Sequence, residues 1–548
     1  MFREMKSLRA WFESGSPWVW LSAGAVSLCL IVVLGLLYLI AVNGLPHFWP
    51  ARIAEIDYRD ADGARQILIG EMVDRELKTD AELASGGEAQ VLMKLGNRDI
   101  YGLDFRWVSE RRITRLEYPR EIVAVEREEW GNLYGYLAGV EEGGRRVVTA
   151  GHPIAELRAR LGRRHELKAR IRHVKKDLIG GVNHEMESLR LRQRRLELDG
   201  VKERAPFAAI RDSRKALEAE YERLNGDLAK LNEDIRRDGI VVRVAGGQEV
   251  KLPVAKVIRV YQPNRMSAAE KLGHYMEKIG EFVSEDPREA NTEGGIFPAI
   301  FGTVLMVLIM AIVVTPFGVV AAVYLREYAK QGMFTRIIRI AVNNLAGVPS
   351  IVYGVFGLGF FVYFVGGSID RWFFPEALPA PTFGTGGLLW CSVTLALLTV
   401  PVVIVATEEG LARIPSEFRE GSYALGATKA ETLWRIVLPM ASPAIMTGLI
   451  LAVARAAGEV APLMMVGVVK LAPSLGLDGI FPYLHLDRKI MHLGFHIYDV
   501  GFQSPNVEAA RPLVYATALL LVLVIVALNL TAIRVRNRLR EKYRAAEY

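Results

Sequence analysis

Cysteine is nearly absent from this 548-residue chain: there are two, Cys29 and Cys391, and both sit in apolar runs. A disulfide framework is thereby excluded, and no Cys–His cluster is available for a metal. Histidine is scarce as well, and His165, His173 and His184 are strung along one charged segment without carboxylates at ligand spacing. They read as solvated side chains rather than a zinc site. A phosphate-binding loop is missing too. Its nearest approach runs from Gly421 to Gly426-Ala427-Thr428-Lys429, without the Gly-Lys-Ser/Thr order and without a preceding strand. Gly354, Gly357 and Gly359 lie inside an apolar run and read as close-packing positions, not as a nucleotide fingerprint. No Ser–His–carboxylate or paired-carboxylate arrangement stands out. The chain therefore has no assigned catalytic residue, metal or cofactor, and any ATP chemistry belongs to another chain. Its net charge of +7 comes without a nucleic-acid reader motif. The basic residues are better explained by membrane flanks and a charged helical segment.

What the chain does have is two kinds of material. Hydrophobic residues make up 51% of it and charged residues 24%, so long apolar runs alternate with a highly charged middle. A membrane-crossing helix needs about 20 apolar residues. Trp18–Val42 qualifies, and it reads as a retained anchor, being too long for a signal-peptide core. Phe297–Val323, Leu345–Val365, Leu388–Thr407, Ala441–Val469 and Leu513–Ile533 also qualify. An even number of spans puts both termini on one side. Arg3, Lys6 and Arg9 precede the first span. Arg326, Lys330, Arg336 and Arg339 follow the second, and a basic tail, 534–548, follows the last. The positive-inside rule makes all three cytoplasmic in a multi-pass inner-membrane protein, with lipid as an obligate neighbour. The expected division is residues 1–43 as cytoplasmic N-terminus and first span, 44–295 as an extracytoplasmic insert, 296–533 as a five-span core, and the tail.

The insert carries strand signals at 66–70, 89–95, 100–108 and 121–126, and a hairpin signal over 240–260 around Gly246-Gly247-Gln248. These make 60–150 and 240–262 β-rich. Between them, 156–238 is dominated by Arg, Leu, Glu, Lys and Ala. Leu217, Tyr221, Leu224, Leu228, Leu231 and Ile235 alternate four and three apart, as do Leu167, Ile171, Val174 and Leu178. Asp199-Gly200 and Pro206 separate the two arms. The expectation is an antiparallel helical hairpin on a small β-rich domain. Its basic first arm reads as a solvated face.

Between the fourth and fifth apolar runs lies EGSYALGATKAETLWRIVLP, residues 420–439. Pro415 and Ser416 suit the start of a short helix. Gly426 suits its end, where a left-handed residue is common. Thr428-Lys429-Ala430-Glu431 has the capping-box pattern for a second helix, to which Leu433, Trp434, Ile436 and Val437 give an apolar face. Pro439 is expected to stop that helix. The fifth run contains Arg455, Gly458 and Glu459. Arg455 falls roughly fourteen residues into it, about 20 Å deep at 1.5 Å per residue. Its i,i+4 spacing puts Glu459 on the same face. Two readings stand: an ion pair holding the bundle together, or a transient anion station with Arg455 as the attractive charge. Charges at such depth usually face a pathway or a partner. Pro316, Pro349, Pro401 and Pro462 punctuate the spans, and Pro316 and Pro401 should kink theirs.

Glu420, Gly421, Ser422, Gly426, Ile436, Leu438 and Pro439 stand at the spacing of the EAA loop and so resemble ABC-importer permeases, with Gly-Ser in place of the usual Ala-Ala. The resemblance implies a mainly α membrane protein with the six transmembrane helices of the type I importer permease fold. It further implies that the cytoplasmic loop 408–439 docks in a groove of a separate ATP-binding subunit. Residues 315–329, 343–359 and 454–464 are similar to the phosphate-permease branch, and 97–108 and 127–137 to the extra N-terminal domain of its longer members. That branch implies a phosphate importer with a second permease, an ATPase dimer and a periplasmic phosphate-binding protein as partners. A permease for molybdate or sulfate and a membrane signalling scaffold are the alternatives. This chain has GEVAPL at 458–463 where many relatives read GETAPL, so a hydroxyl is lost beside the candidate pathway.

Overall fold

Six helices are long and apolar enough to cross a membrane: Ser16–Phe48, Phe297–Tyr328, Ser350–Phe373, Leu388–Ala412, Lys429–Ala456 and Ala510–Glu541. They are called spans one to six. The computed structural model describes residues 14–60, 63–77, 89–147, 153–288, 291–504 and 507–544. The expected charges Arg3, Lys6 and Arg9 and the end of the tail lie outside those residues. Span four is the centre of the core, with 67% of its most apolar stretch buried against 0% for span one. Close approach there depends on missing side chains. A Cβ on Gly318 of span two would lie 2.6 Å from Val403 Cγ1, and one on Gly448 of span five 2.7 Å from Ala406 Cβ.

Two spans differ from expectation. Span three begins at Ser350, after Pro349, not at Leu345. The pre-proline restriction at Val348 and the proline itself end the preceding helix, Met333–Leu345. Span five is displaced toward the loop before it. Its helix ends at Ala456, the backbone breaks over 457–460, and a short helix, Ala461–Val466, follows. Gly458 and the helix-starting Pro462 account for the break, so the single run Ala441–Val469 is not one helix. Pro316 and Pro401 do lie inside their helices.

Among its described residues the insert contains two large antiparallel sheets and a two-stranded one, Pro287–Arg288 with Glu293–Gly294. β1 (Ile53–Arg59), β2 (Arg65–Leu77), β3 (Ala89–Lys94), β4 (Phe105–Ser109) and β5 (Ile113–Glu117) pair in the order β4-β3-β2-β1-β5. β6 (Ile122–Arg127), β7 (Leu133–Glu142), β9 (Asp238–Arg243), β10 (Glu249–Pro253) and β11 (Val257–Tyr261) pair as β10-β9-β7-β6-β11, with β8 (Arg145–Val147) on β7. The strand expected over 100–108 is a helical turn, Arg98–Tyr101, followed by β4. Gly102 at φ +71° ends that turn. The hairpin expected over 240–260 is β9–β10 alone. Pro253 ends β10, and β11 crosses to the far edge of the sheet to pair with β6.

Both arms of the helical hairpin form. The first runs through Pro153–Arg172, a π turn at His173–Leu178, and Ile179–Leu198; the second is Arg204–Arg236. Leu217, Tyr221, Leu224 and Leu228 pack against Val174, Ile179, Val182 and Met186. Leu178, expected in the seam, is 41% exposed. The π turn adds a residue to the first arm, so Ile179 takes its place. His165, His173 and His184 are exposed. The arm is anchored at its base, where Leu157 joins the sheet core and Arg160 Nη1 lies 2.9 Å from Asp238 Oδ1. Near its tip Arg195 pairs with Glu376, just beyond span three. The helix Ala268–Ser284, started by a Ser267–Glu270 capping box, lies between the second sheet and span two. Burial alone would raise Glu126 in that sheet, but Lys278, Arg288 and Arg259 hold its carboxyl below the usual range.

Candidate functional site

The segment between spans four and five is a rigid knob. Helix Ser416–Ala424 follows Pro415 and ends through Gly426, whose φ is +85°. Gly426 N–H donates to Tyr423 O at 2.9 Å, and Ala427 N–H to Ser422 O at 3.1 Å, closing the helix end. The capping box at Thr428 forms in full. Thr428 Oγ1 accepts Glu431 N–H at 3.3 Å, and Glu431 Oε2 accepts Thr428 N–H at 2.9 Å. The helix starting there does not stop at Pro439. It passes through a π turn, Leu433–Val437, and continues as Leu438–Ala456. Leu438 N–H bonds back five residues to Leu433 O, and Pro439 falls at the first positions of the next helical stretch, where its missing N–H costs little. The knob is thus continuous with span five.

Its interior is small and closed. Leu433 and Val437 pack with Leu411, Ile414 and Ala441. Ser422 is buried, its hydroxyl 2.8 Å from Thr432 Oγ1. That contact requires a small residue at 422, which the Ala-to-Ser exchange preserves. Trp434, expected on the apolar face with Leu433 and Val437, is 73% exposed because the π turn rotates it outward. The knob is braced to the far end of span two. Arg419 Nη2 lies 2.9 Å from Glu327 Oε1 and also donates to Leu411 O at 3.0 Å. Lys429 stands over the Tyr328 ring, 4.5 Å from its centre, and bonds the Glu327 carbonyl.

Outward, the knob offers a different surface. Glu420, Gly421 and Gly426 are exposed, Ile436, Leu438 and Pro439 are half-buried, and Leu425 is 91% exposed. A concavity of about 590 Å³ is lined by Glu417, Phe418, Leu425, Gly426, Glu431 and Arg435, among others. Motif reading did not find Arg419, Glu327, Phe418 or Leu425. Arg419 and Glu327 are 92 positions apart, and nothing local marks them as partners.

Arg455, Gly458 and Glu459 come together at the break. Arg455 lies in the last turn of its helix rather than mid-helix. Its Nε stands 3.6 Å from Glu459 Oε1, and the two side chains are 33% and 19% exposed. This is a long contact between charges that are neither fully buried nor closed on each other, which leaves donor capacity on the guanidinium. Span three packs closely on the short helix and on span four: a Cβ on Gly354 would lie 2.7 Å from Pro462 Cα of the short helix, and one on Gly357 2.5 Å from Thr394 Oγ1 of span four. Gly359 has open space around it.

Six membrane-length helices and the family match that follows make this chain a permease subunit of an ABC importer. The family of binding-protein-dependent transport system inner membrane components matches residues 314–544. The chain belongs to that family, and residues before the match, the insert included, lie outside it. It is 35% identical over 244 residues to the phosphate transport system permease protein PstA 1 of Mycobacterium tuberculosis (strain CDC 1551 / Oshkosh), covering 44% of this chain and 71% of that one. It is 33% identical over 251 residues to PstA of Yersinia pestis, covering 46% and 75%. A solved structure of the MetNI methionine ABC transporter aligns over 44% of this chain and 94% of its own, at 19% identity and a TM-score of 0.33.

Proposed function

We propose that this chain is the permease subunit of an ATP-driven phosphate importer. It works with a second permease, an ATP-binding subunit dimer that receives the knob, and a periplasmic phosphate-binding protein. The knob, with both termini, is on the cytoplasmic side, and residues 44–295 are on the other. The observation that carries the reading is the knob itself: exposed Leu425 and Phe418 on a frame braced to span two and continuous with span five. Rigid-body closure of a motor moves a membrane helix only through a stiff docked element. At the far end of that helix stand Arg455 and Glu459. A multiply hydrogen-bonded oxyanion suits a partly open guanidinium there, with Glu459 neutralising it at rest. The names of the relatives support phosphate as that oxyanion.

The decisive experiment pairs Gly426→Val with Glu420→Lys. Membrane insertion should persist while ATP-coupled uptake is abolished; normal uptake would remove the docking role. Arg455→Ala should abolish uptake in an intact complex, and normal uptake there would leave only the structural ion pair. Competition by arsenate, without competition by sulfate or molybdate, identifies phosphate. Protease added from the periplasmic side should cut within 158–237.

A further inference from the structure

The first arm of the hairpin meets acidic side chains of other segments at its base, its middle and its tip. At the base Arg160 Nη1 stands 2.9 Å from Asp238 Oδ1 of the second sheet. In the middle Lys176 Nζ lies 3.2 Å from Asp286 Oδ2, just before span two. Near the tip Arg195 pairs with Glu376, in the turn Pro375–Ala377 that follows span three. From Lys176 to Arg195 the helix covers about 28 Å at 1.5 Å per residue. The arm therefore reaches from the start of span two to the end of span three. The π turn His173–Leu178 falls at the middle support, where helix bonding is already irregular.

The tip is held differently from the base. At the base Leu157 joins the apolar core of the sheet. At the tip the bond is one of charge: among the described residues, no buried apolar cluster contains residues of both the outer hairpin and the spans. The Arg195 side chain is 58% exposed and that of Glu376 7%. Glu376 Oε2 closes no hydrogen bond. The exposed cation is free to leave for water, while the carboxylate it covers stays fixed in its loop. That loop is stiff. Asp370 Oδ1 accepts Phe383 N–H at 2.8 Å, Asp370 Oδ2 accepts Gly384 N–H at 2.6 Å, and Trp390 Nε1 of span four donates to Phe383 O at 2.7 Å. A pull on Glu376 is thus delivered to the ends of spans three and four. Span three in turn lies against the short helix beyond the break, Gly354 on Pro462.

We propose that the first arm is a strap: the Arg195–Glu376 pair holds the outer end of span three in the resting importer and lets go during each transport cycle. The proposal rests on the reading of this chain as an importer permease with the insert on the side opposite the knob. A reversible tether tests it. Cys29→Ser removes the exposed native thiol and leaves only the buried Cys391. In that background Arg195→Cys and Glu376→Cys are joined by a short bis-methanethiosulfonate linker in the assembled importer. Uptake should fall about tenfold on joining and return on reduction. Uptake by the joined pair within about twofold of the reduced one overturns the proposal, because the contact is then a fixed brace. Should the double variant not assemble, Arg195→Glu decides, since it alters an exposed side chain and sets like charges at the tip. ATP hydrolysis by the complex without binding protein should rise about fivefold, while Arg195→Lys stays within about twofold of the parent. No rise in Arg195→Glu, or an equal rise in Arg195→Lys, overturns the proposal. Phosphate uptake by the parent importer is the control. Its absence counts against the phosphate reading alone, and the strap is then judged by the ATP hydrolysis rate of the same complex, joined against reduced.

Discussion

Span five has two ends, and they are built on opposite rules. At the knob end the helix runs unbroken from Lys429 through Pro439, its inward residues are packed, and Arg419, Glu327, Lys429 and Tyr328 tie it to span two. At the far end the helix breaks after Ala456 and the Arg455–Glu459 contact is long. One end is over-determined and the other under-determined. On the proposed function, a displacement applied at the stiff end is taken up at the break. That contrast, more than either feature alone, suits a part that transmits a push and releases an anion.

The contrast can be broken at either end. Leu425→Asp should have the largest effect. The side chain is almost fully exposed, so folding stability should change by less than about 0.5 kcal/mol. Binding of the ATPase should weaken by about 2 kcal/mol or more, as at an apolar anchor; co-purification against thermal unfolding separates the two. Arg419→Ala comes next. It leaves the half-buried Glu327 carboxylate and two carbonyls without their donor, at a local cost of about 3 kcal/mol. ATP hydrolysis should then run with little uptake, since the motor still docks but pushes a loosened knob. Thr428→Ala removes one helix cap and should cost about 1 kcal/mol, visible as faster hydrogen exchange over 428–437 with uptake reduced only modestly. The smallest effect tests the insert around His274 as a bystander. Burial, assisted by Arg259 and Lys278, pushes His274 down to about 4. The native state then binds fewer protons than the unfolded one, so stability is full above the ordinary imidazole pKa and falls as pH drops from about 6.5 toward 4. His274→Phe should flatten that slope in thermal melts of the full chain without altering uptake at neutral pH.

Much of this architecture was legible in the residues, for reasons that are local. The apolar runs marked the spans, because twenty-odd such residues have no other stable place. Thr428 to Glu431 announced a helix start, and Gly426 its turn, because caps and left-handed residues depend on near neighbours. The hairpin seam was visible as a repeat, up to the point where a π turn moved it from Leu178 to Ile179. Where the reading failed, the competing effect was not local. Pro439 looked like a stop and became the start of a further helical stretch, because the π turn before it had already changed the bonding pattern. The candidate charge pair was found, but as a mid-helix pair. The break depended on Gly458 and Pro462 acting together with span three, where Gly354 lets Pro462 approach.

The residues by themselves determined the class of element at most positions and the position of the knob. Periodicity, capping and apolar length are properties of a few consecutive residues. Only the tertiary structure decided which elements would be stiff and which would yield. Stiffness depends on partners distant in the chain, such as Arg419 with Glu327 and Thr303 with Leu493. Those pairings exist because packing brings unlike stretches together, and no short-range pattern encodes that choice.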